Sequence, residues 1–383
     1  MFGKKQGVEM HEAGEVRLCL AGDVMLGRGI DQILPYPCEP GLHERSVRSA
    51  ARYVELAERL NGPIPRVADF TYVWGDALAE LEHRHPDLWL INLETSITTS
   101  TDWEAKGINY RMNPLNAGVI TAAQVDCCSL ANNHILDWGK AGLRETLDTL
   151  NRAGIATAGI GHNRTDAEAP AILPMRGGRV LVFAFGLPSS GIPSSWAATE
   201  ATPGISFLLE PSAVAVEQIA DSVQAIREPG DIVVVSLHWG SNWGYEVPWE
   251  HSSFAHGLID QGGVDMVFGH SSHHPKAVEV YNSKLILYGC GDLINDYEGI
   301  GGKEAFRPDL VLLYFVTLRH TDGGLADLTL IPLRIRNFRL NSPTRKDAAW
   351  LCDVLNRESA DYGTHLDLGA DNSLTLARIH ARD

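Results

Sequence analysis

Short apolar runs recur along the chain, and one after another they stop at a glycine or at a polar residue. Residues 16–21 (VRLCLA) stop at Gly22-Asp23, and 88–93 (LWLINL) stop at Glu94. Residues 127–131 stop at Asn132-Asn133-His134, 232–237 at His238-Trp239-Gly240, and 266–268 at Gly269-His270. Brief apolar runs bounded in this way predict buried strands. Between them, apolar positions at helical spacing predict helices over 43–60, 70–81, 114–124, 139–153, 213–227, 249–260 and 346–356. Further strands are predicted over 155–160, 171–174, 179–185, 277–281 and 284–288, with 310–317 and 328–336 of antiparallel character. Strands alternating with helices predict an α/β fold, in which ligands bind at the carboxyl ends of the strands.

That edge is where the chemistry-bearing residues gather. The densest stretch is 264–297, where His270, His273 and His274 fall within five residues of a strand end. The run at 284–288 then leads to Asp292, Asn295 and Asp296. A histidine-rich surface loop would have the same composition, and a lone Asp or His at a strand tip is usually a cap. Five strands in succession ending on such groups point to a shared site. Oxygen donors from Asp, Glu and Asn mixed with imidazoles suit Ca, Mn, Zn, Fe or Mg, with no thiolate required.

The chain has 383 residues, 44% of them hydrophobic, ample for a large core. Its formal net charge of −16 argues against binding a nucleic-acid backbone. The first residues, MFGKKQGVEMHEAGEV, lack the apolar core of a signal peptide. No apolar run is long enough to span a membrane. The six cysteines form no CxxC pair and several lie in apolar runs, which suits reduced thiols in a cytoplasmic protein. No repeat or linker divides the sequence. The expected organisation is an extended or disordered segment over 1–15, a catalytic domain over 16–340, and a helix and tail over 341–383 packed on that domain.

Five segments together carry a resemblance: GDVMLGRGID (22–31), INLETSI (91–97), LANNHILDWG (130–139), HWG (238–240) and GHSSHHPKAVEVYNSKLILYGCGD (269–292). In this order they resemble the calcineurin-like metallophosphoesterase superfamily and, within it, the CapA-type family of poly-γ-glutamate capsule synthesis. The resemblance implies a four-layer α/β/β/α sandwich with metal at the strand ends. It places Asp23, Glu94, Asn133, His238 and His270 on or near the metal, His134 as the acid/base, and His273 close by. Two departures matter. Superfamily phosphoesterases use Asp-x-His on the first strand, where this chain has Met25, and Gly-His-x-His in the last loop, where it has Ser271. A two-metal clamp needs both cations fully held, so one well-held metal is expected, with His134, His270 and His273 freed for proton transfer and Asp137 and Asp292 as their carboxylate partners.

Other candidates are weaker. Tyr110 and Arg111 sit in a polar loop with Lys106, and Arg111 could clamp a carboxylate or pair on the surface. Trp239 and Trp243 follow the HWG segment, and Trp196 lies in a long proline-containing loop over 188–203. These aromatic residues could line a peptide-sized pocket or anchor their loops. Gly299, Gly301 and Gly302 lack the strand-to-helix setting of a dinucleotide site. Three functions compete: phosphoester hydrolysis, a part in capsule assembly, and acid/base chemistry on a peptide. The third is preferred, as L-to-D epimerisation at a Cα of a ribosomal precursor peptide, because the family also includes epimerases of lasso-peptide precursors. Peptide or small-molecule substrates are therefore expected, with no nucleic acid and no membrane span.

Overall fold

The computed structural model describes residues 14–377. Two β-sheets lie face to face. The first has the order Leu366–Leu368, Leu374–Leu376, Leu325–Arg336, Leu310–Arg319, Glu15–Val24, Leu88–Leu93, Cys127–Ser129, Ala156–Ala158. Its last four strands run parallel, while Glu15–Val24 pairs antiparallel with Leu310–Arg319. The second has the order Val278–Tyr281, Lys284–Leu287, Met266–His270, Ile232–His238, Gly178–Gly186, Ala171–Met175, with its four inner strands parallel.

The apolar runs have no polar alternation because both faces of each sheet are covered. Ile232–His238 is buried at every position. Successive side chains point to opposite faces, so Ile232 and Val234 meet Leu18, Leu20 and Leu90 between the sheets. Val233, Val235 and Leu237 face outwards, against Val216, Ile219, Phe254 and Leu258 of the helices Ala213–Gln224 and Trp249–Asp260. On the other side, Ile91 and Cys128 pack with Trp74, Ala77, Leu143 and Leu150, beneath Ala77–Arg84 and Gly139–Arg152. The result is a four-layer α/β/β/α sandwich.

Several element boundaries differ from expectation. The helix predicted over 43–60 begins only at Ala51, after an irregular stretch bridged between Gly41 and Ser49. The helix over 70–81 is a 3-10 turn, Tyr72–Trp74, and a separate helix, Ala77–Arg84, because Gly75 takes a positive φ of 45° between them. The 114–124 helix is likewise split into Pro114–Asn116 and Gly118–Ala122. Gly159, at φ 94°, breaks the 155–160 strand. At the other end, Arg345–Ser359 is a helix whose Leu351 and Leu355 enter the inter-sheet core. The chain after it forms a hairpin, Leu366–Leu368 with Leu374–Leu376, that extends the first sheet. Of the expected N-terminal segment, 1–13 lies outside the described residues, and Glu15 already belongs to the first strand. Among the described residues no helix is long and apolar enough to cross a membrane.

Candidate metal and acid/base centre

The parallel strands of both sheets end at one edge, which brings Asp23, Glu94 and the 132–134 turn opposite His238 and His270. Local geometry at Asp23 depends on Gly22. A Cβ there would lie 1.8 Å from the Gly291 carbonyl oxygen, so only glycine lets the Asp292–Ile294 strand pair alongside. That pairing sets Asp23 beside Asp292. No apolar run along the chain marks this short strand.

Two donor groups result, Asp23 with His238 and His270, and Asp23 with Glu94 and His273, each with its donor atoms within 4.8 Å of one another. Asp23 belongs to both. Its Oδ1 accepts from Asn92 Nδ2 at 2.7 Å and its Oδ2 from the Ser271 N–H at 3.2 Å. Ser271 holds a φ of 100°, a backbone region that costs a non-glycine residue about 1–3 kcal/mol. Burial and the neighbouring Asp292 carboxylate push Asp23 up to about 7. Burial and the Asp23 charge push Glu94 well above the usual carboxylate range.

These observations test whether a divalent cation fits. Glu94 Oε2 is buried without a hydrogen-bond partner among the described residues. Buried like charges with an orphaned oxygen are costly unless a cation offsets them. His238 Nδ1 and His270 Nδ1 approach to 2.8 Å, so a proton or a cation must lie between their lone pairs. Burial lowers both imidazoles, His270 to about 3, which leaves them neutral as metal ligation requires. The donor set therefore fits a divalent cation. Asn133 Oδ1 lies 3.1 Å from His238 Nε2, at the margin of the same cluster.

Two histidine–carboxylate pairs flank the cluster. His134 Nδ1 lies 2.6 Å from Asp137 Oδ2, which also accepts the Tyr110 N–H at 2.6 Å. Lys106 Nζ pairs with Asp137 Oδ1 at 2.7 Å. This arrangement puts the proton on His134 Nδ1 and leaves Nε2, 3.6 Å from Glu94 Oε1, as the free base. Burial lowers His134 to about 4 against the opposing pull of Asp137. His273 Nδ1 lies 2.8 Å from Asp292 Oδ1, and Asn295 Nδ2 donates to Asp292 Oδ2 at 2.8 Å. Burial alone would lower His273, but Asp292 raises it above the ordinary value.

Not every candidate reaches the centre. Trp239 does not: its indole stacks on His251 at 4.3 Å and donates to the Tyr288 carbonyl at 3.0 Å, within the outer helical layer. Strand alternation requires this, since His238 already points to the site. Arg111 also points away, with its guanidinium over the Trp138 ring at 3.9 Å and Nη1 donating to the Ser100 carbonyl. Its neighbour Tyr110 faces inward and sets its ring edge against His134 at 4.5 Å. Trp196 is buried behind Lys106, whose Nζ is 5.3 Å from the ring. Trp243 borders the centre, 5.4 Å from His273. His274 is structural, its Nε2 accepting the Gly244 N–H and its ring stacked on Phe306. Asn92, Arg28 and Tyr297 also belong to the centre, though no motif marks Arg28 or Tyr297 as such. Asn92 had a signal, a lone amide inside an apolar strand.

The chain matches the family model of the bacterial capsule synthesis protein PGA_cap over residues 17–297. It belongs to that family. The matched span contains every residue of the centre, and the resemblance to CapA-type proteins is borne out. This PGA_cap member is 46% identical over 364 residues, 94% of its own length and 96% of the relative's, to a protein of Mycobacterium tuberculosis named as a probable polyglutamine synthesis accessory protein. It is 24% identical over 329 residues to the capsule biosynthesis protein CapA of Bacillus anthracis, covering 86% of this chain and 70% of that one. Among solved structures it is similar to a novel phosphatase of Mycoplasma pneumoniae, with a TM-score of 0.45 and 10% identity over 86% of this chain and 96% of that one.

Proposed function

We propose that this chain is a metal-dependent acid/base enzyme acting on a polyamide of glutamyl residues, and that its reaction is inversion at a Cα. One observation carries the reading: two buried histidine–carboxylate pairs, His134–Asp137 and His273–Asp292, flank a single carboxylate cluster. Inversion needs a base on one face of the carbon and an acid on the other. The free His134 Nε2 takes the Cα proton as the C–H electron pair passes into the adjacent carbonyl. The imidazolium of His273, held by Asp292, returns a proton to the opposite face, and the two exchange roles in the reverse direction. A divalent cation held by Asp23, Glu94, Asn133, His238 and His270 would supply the positive charge that stabilises the developing oxyanion. Relatives named for polyglutamine synthesis and capsule biosynthesis support a polyamide substrate, and the resemblance to poly-γ-glutamate capsule proteins supports glutamyl residues in it. A ribosomal precursor peptide, such as that of a lasso peptide, would meet the same chemistry.

A second reading, phosphoester hydrolysis, is favoured by the sharing of Asp23 between two donor groups, the layout a pair of cations would use. One experiment separates the two. Protein loaded with Mn²⁺ is incubated in deuterated water with a glutamyl peptide, and in parallel with an aryl phosphate ester. Inversion predicts a gain of one deuteron at the inverted residue and no phosphate release. Phosphate release with no exchange into any glutamyl peptide would reject it.

A further inference from the structure

Tyr110 is the unexplained side chain of the centre. It is 2% exposed, and its hydroxyl is buried with no partner in good hydrogen-bond geometry among the described residues, the Tyr297 hydroxyl being its polar neighbour. An unpaired buried hydroxyl loses its hydration and gains nothing in return, so packing alone would be better served by phenylalanine. The ring is also held in place with unusual care. Its edge meets His134 at 4.5 Å, and the Arg28 guanidinium lies over its face at 4.5 Å. Arg28 is itself immobile: it is buried, lies over the Tyr53 ring at 4.0 Å, and bonds Asp296, Glu44 and the Tyr53 hydroxyl.

Tyr297 completes the arrangement from the other side. Its ring edge packs on His273 at 5.5 Å, and its hydroxyl lies 3.4 Å from His273 Nε2 and 3.6 Å from Met25 Sδ. The two phenols thus stand between the two histidine–carboxylate pairs, one against each imidazole. Burial holds both phenols well above their ordinary range, so each keeps its proton and is a donor.

We infer that the Tyr110 hydroxyl, with Tyr297 beside it, is a preorganised hydrogen-bond donor for the substrate oxygen on which negative charge develops. The ligand class is an oxyanion, whether the carbonyl oxygen of a glutamyl unit losing its Cα proton or a non-bridging phosphoryl oxygen. No covalent change occurs at the phenol, whose proton stays on its oxygen. The inference rests on the acid/base reading above but not on which bond reacts. It gives the orphaned hydroxyl its missing partner and explains why Arg28 is fixed so firmly behind it, since a donor aimed at a transition state is effective only when it need not reorganise.

Tyr110→Phe and Tyr297→Phe test it in the Mn²⁺-loaded full chain. Tyr110→Phe removes an oxygen that no protein group bonds in good geometry, its polar neighbour being the Tyr297 hydroxyl, so its melting temperature should stay close to or exceed that of the wild type. Its kcat, for whichever of the two reactions the wild type performs, should fall roughly 10²-fold with KM little changed. Inorganic phosphate serves as a probe that needs no turnover. Wild-type protein should show a tyrosine near-ultraviolet difference spectrum on binding phosphate, and Tyr110→Phe should bind it about tenfold more weakly with that signal reduced. A Tyr110→Phe protein that loses stability while keeping kcat and phosphate affinity overturns the inference. If the wild type turns over neither substrate, the reaction reading fails and the phosphate titration alone decides the donor. A wild type that neither turns over nor binds phosphate overturns both.

Discussion

Asp137 shows how much one residue decides. Its carboxylate receives the His134 ring, the Tyr110 N–H and the Lys106 ammonium, and so fixes which nitrogen of His134 carries the proton. Replacing it with Asn keeps the volume but lets the amide present an N–H to Nδ1, which reverses the tautomer and puts the proton on the face that should be the base. Asp137→Asn should therefore reduce kcat by roughly 10²–10⁴-fold, the usual worth of a positioned acid/base. The measurement is steady-state kinetics beside a thermal melt, because a merely unstable variant would recover its rate on cooling. A rate close to wild type would remove His134 from the chemistry. The spacing of His134 and Asp137 was legible in LANNHILDWG. The inward turn of Tyr110 against the outward turn of Arg111 was not, because adjacent residues of an irregular loop take their faces from what packs beneath them.

At the scale of elements, the C-terminal helix shows a local device with a global consequence. Thr344 and Asp347 form a capping box at its start, and Asp347 also receives Arg307 at 2.8 Å and Arg334 at 3.4 Å. Burial alone would raise its pKa, but Arg307, Thr344 and Arg334 together hold it below the ordinary carboxylate value. A depressed folded pKa gives stability that is present above the unfolded value, about 3.9, and is lost as pH falls through the folded one. Asp347→Asn should cost about 1.5–3 kcal/mol at neutral pH. The gap in melting temperature from wild type should close as the pH is lowered below the ordinary Asp range. A gap that is constant with pH would mean the charge contributes nothing. Helices with a clear apolar stripe, such as Gly139–Arg152, were readable to within a residue. The one interrupted by Gly75 was not, since a glycine tolerated inside a helix and one that ends it look alike in sequence.

At the scale of the whole molecule, the seam between the two sheets at their strand ends gathers groups that repel one another, Asp23, Glu94 and Asp292 with the close pair His238 and His270, beside a few favourable bonds such as His273 to Asp292 and Ser236 to Ser129. A cation bound at this seam would tie the sheets together and bind the folded state alone, so it should stabilise the protein by about 2.7 kcal/mol when its free concentration is a hundredfold above Kd. Chelation followed by dialysis should lower the melting temperature, and adding back Mn²⁺ should restore it in a concentration-dependent way. Equal melting curves with and without chelator, in protein that elemental analysis shows to have lost its metal, would exclude a structural part for the cation. The same titration gives the number of ions per chain, which bears on whether Asp23 serves one cation or two.

The sequence by itself determined the α/β layering, because strands covered on both faces must be apolar throughout. It also determined the list of strand-end donors, because each apolar run stops at a polar residue, and such residues, buried as they are here, need partners that a shared site supplies. Tertiary structure decided the rest. Asp23 became a neighbour of Asp292 only because Gly22 admits a parallel strand from hundreds of residues downstream. Trp239 was sent to the far side of its sheet by strand alternation once His238 had taken the near side. Tyr110 and Tyr297, unremarkable in isolation, came to stand between His134 and His273 because Arg28 and Asp296 lock two distant loops together. Relations of this kind depend on which segments pack against which, and no periodicity along one chain encodes them.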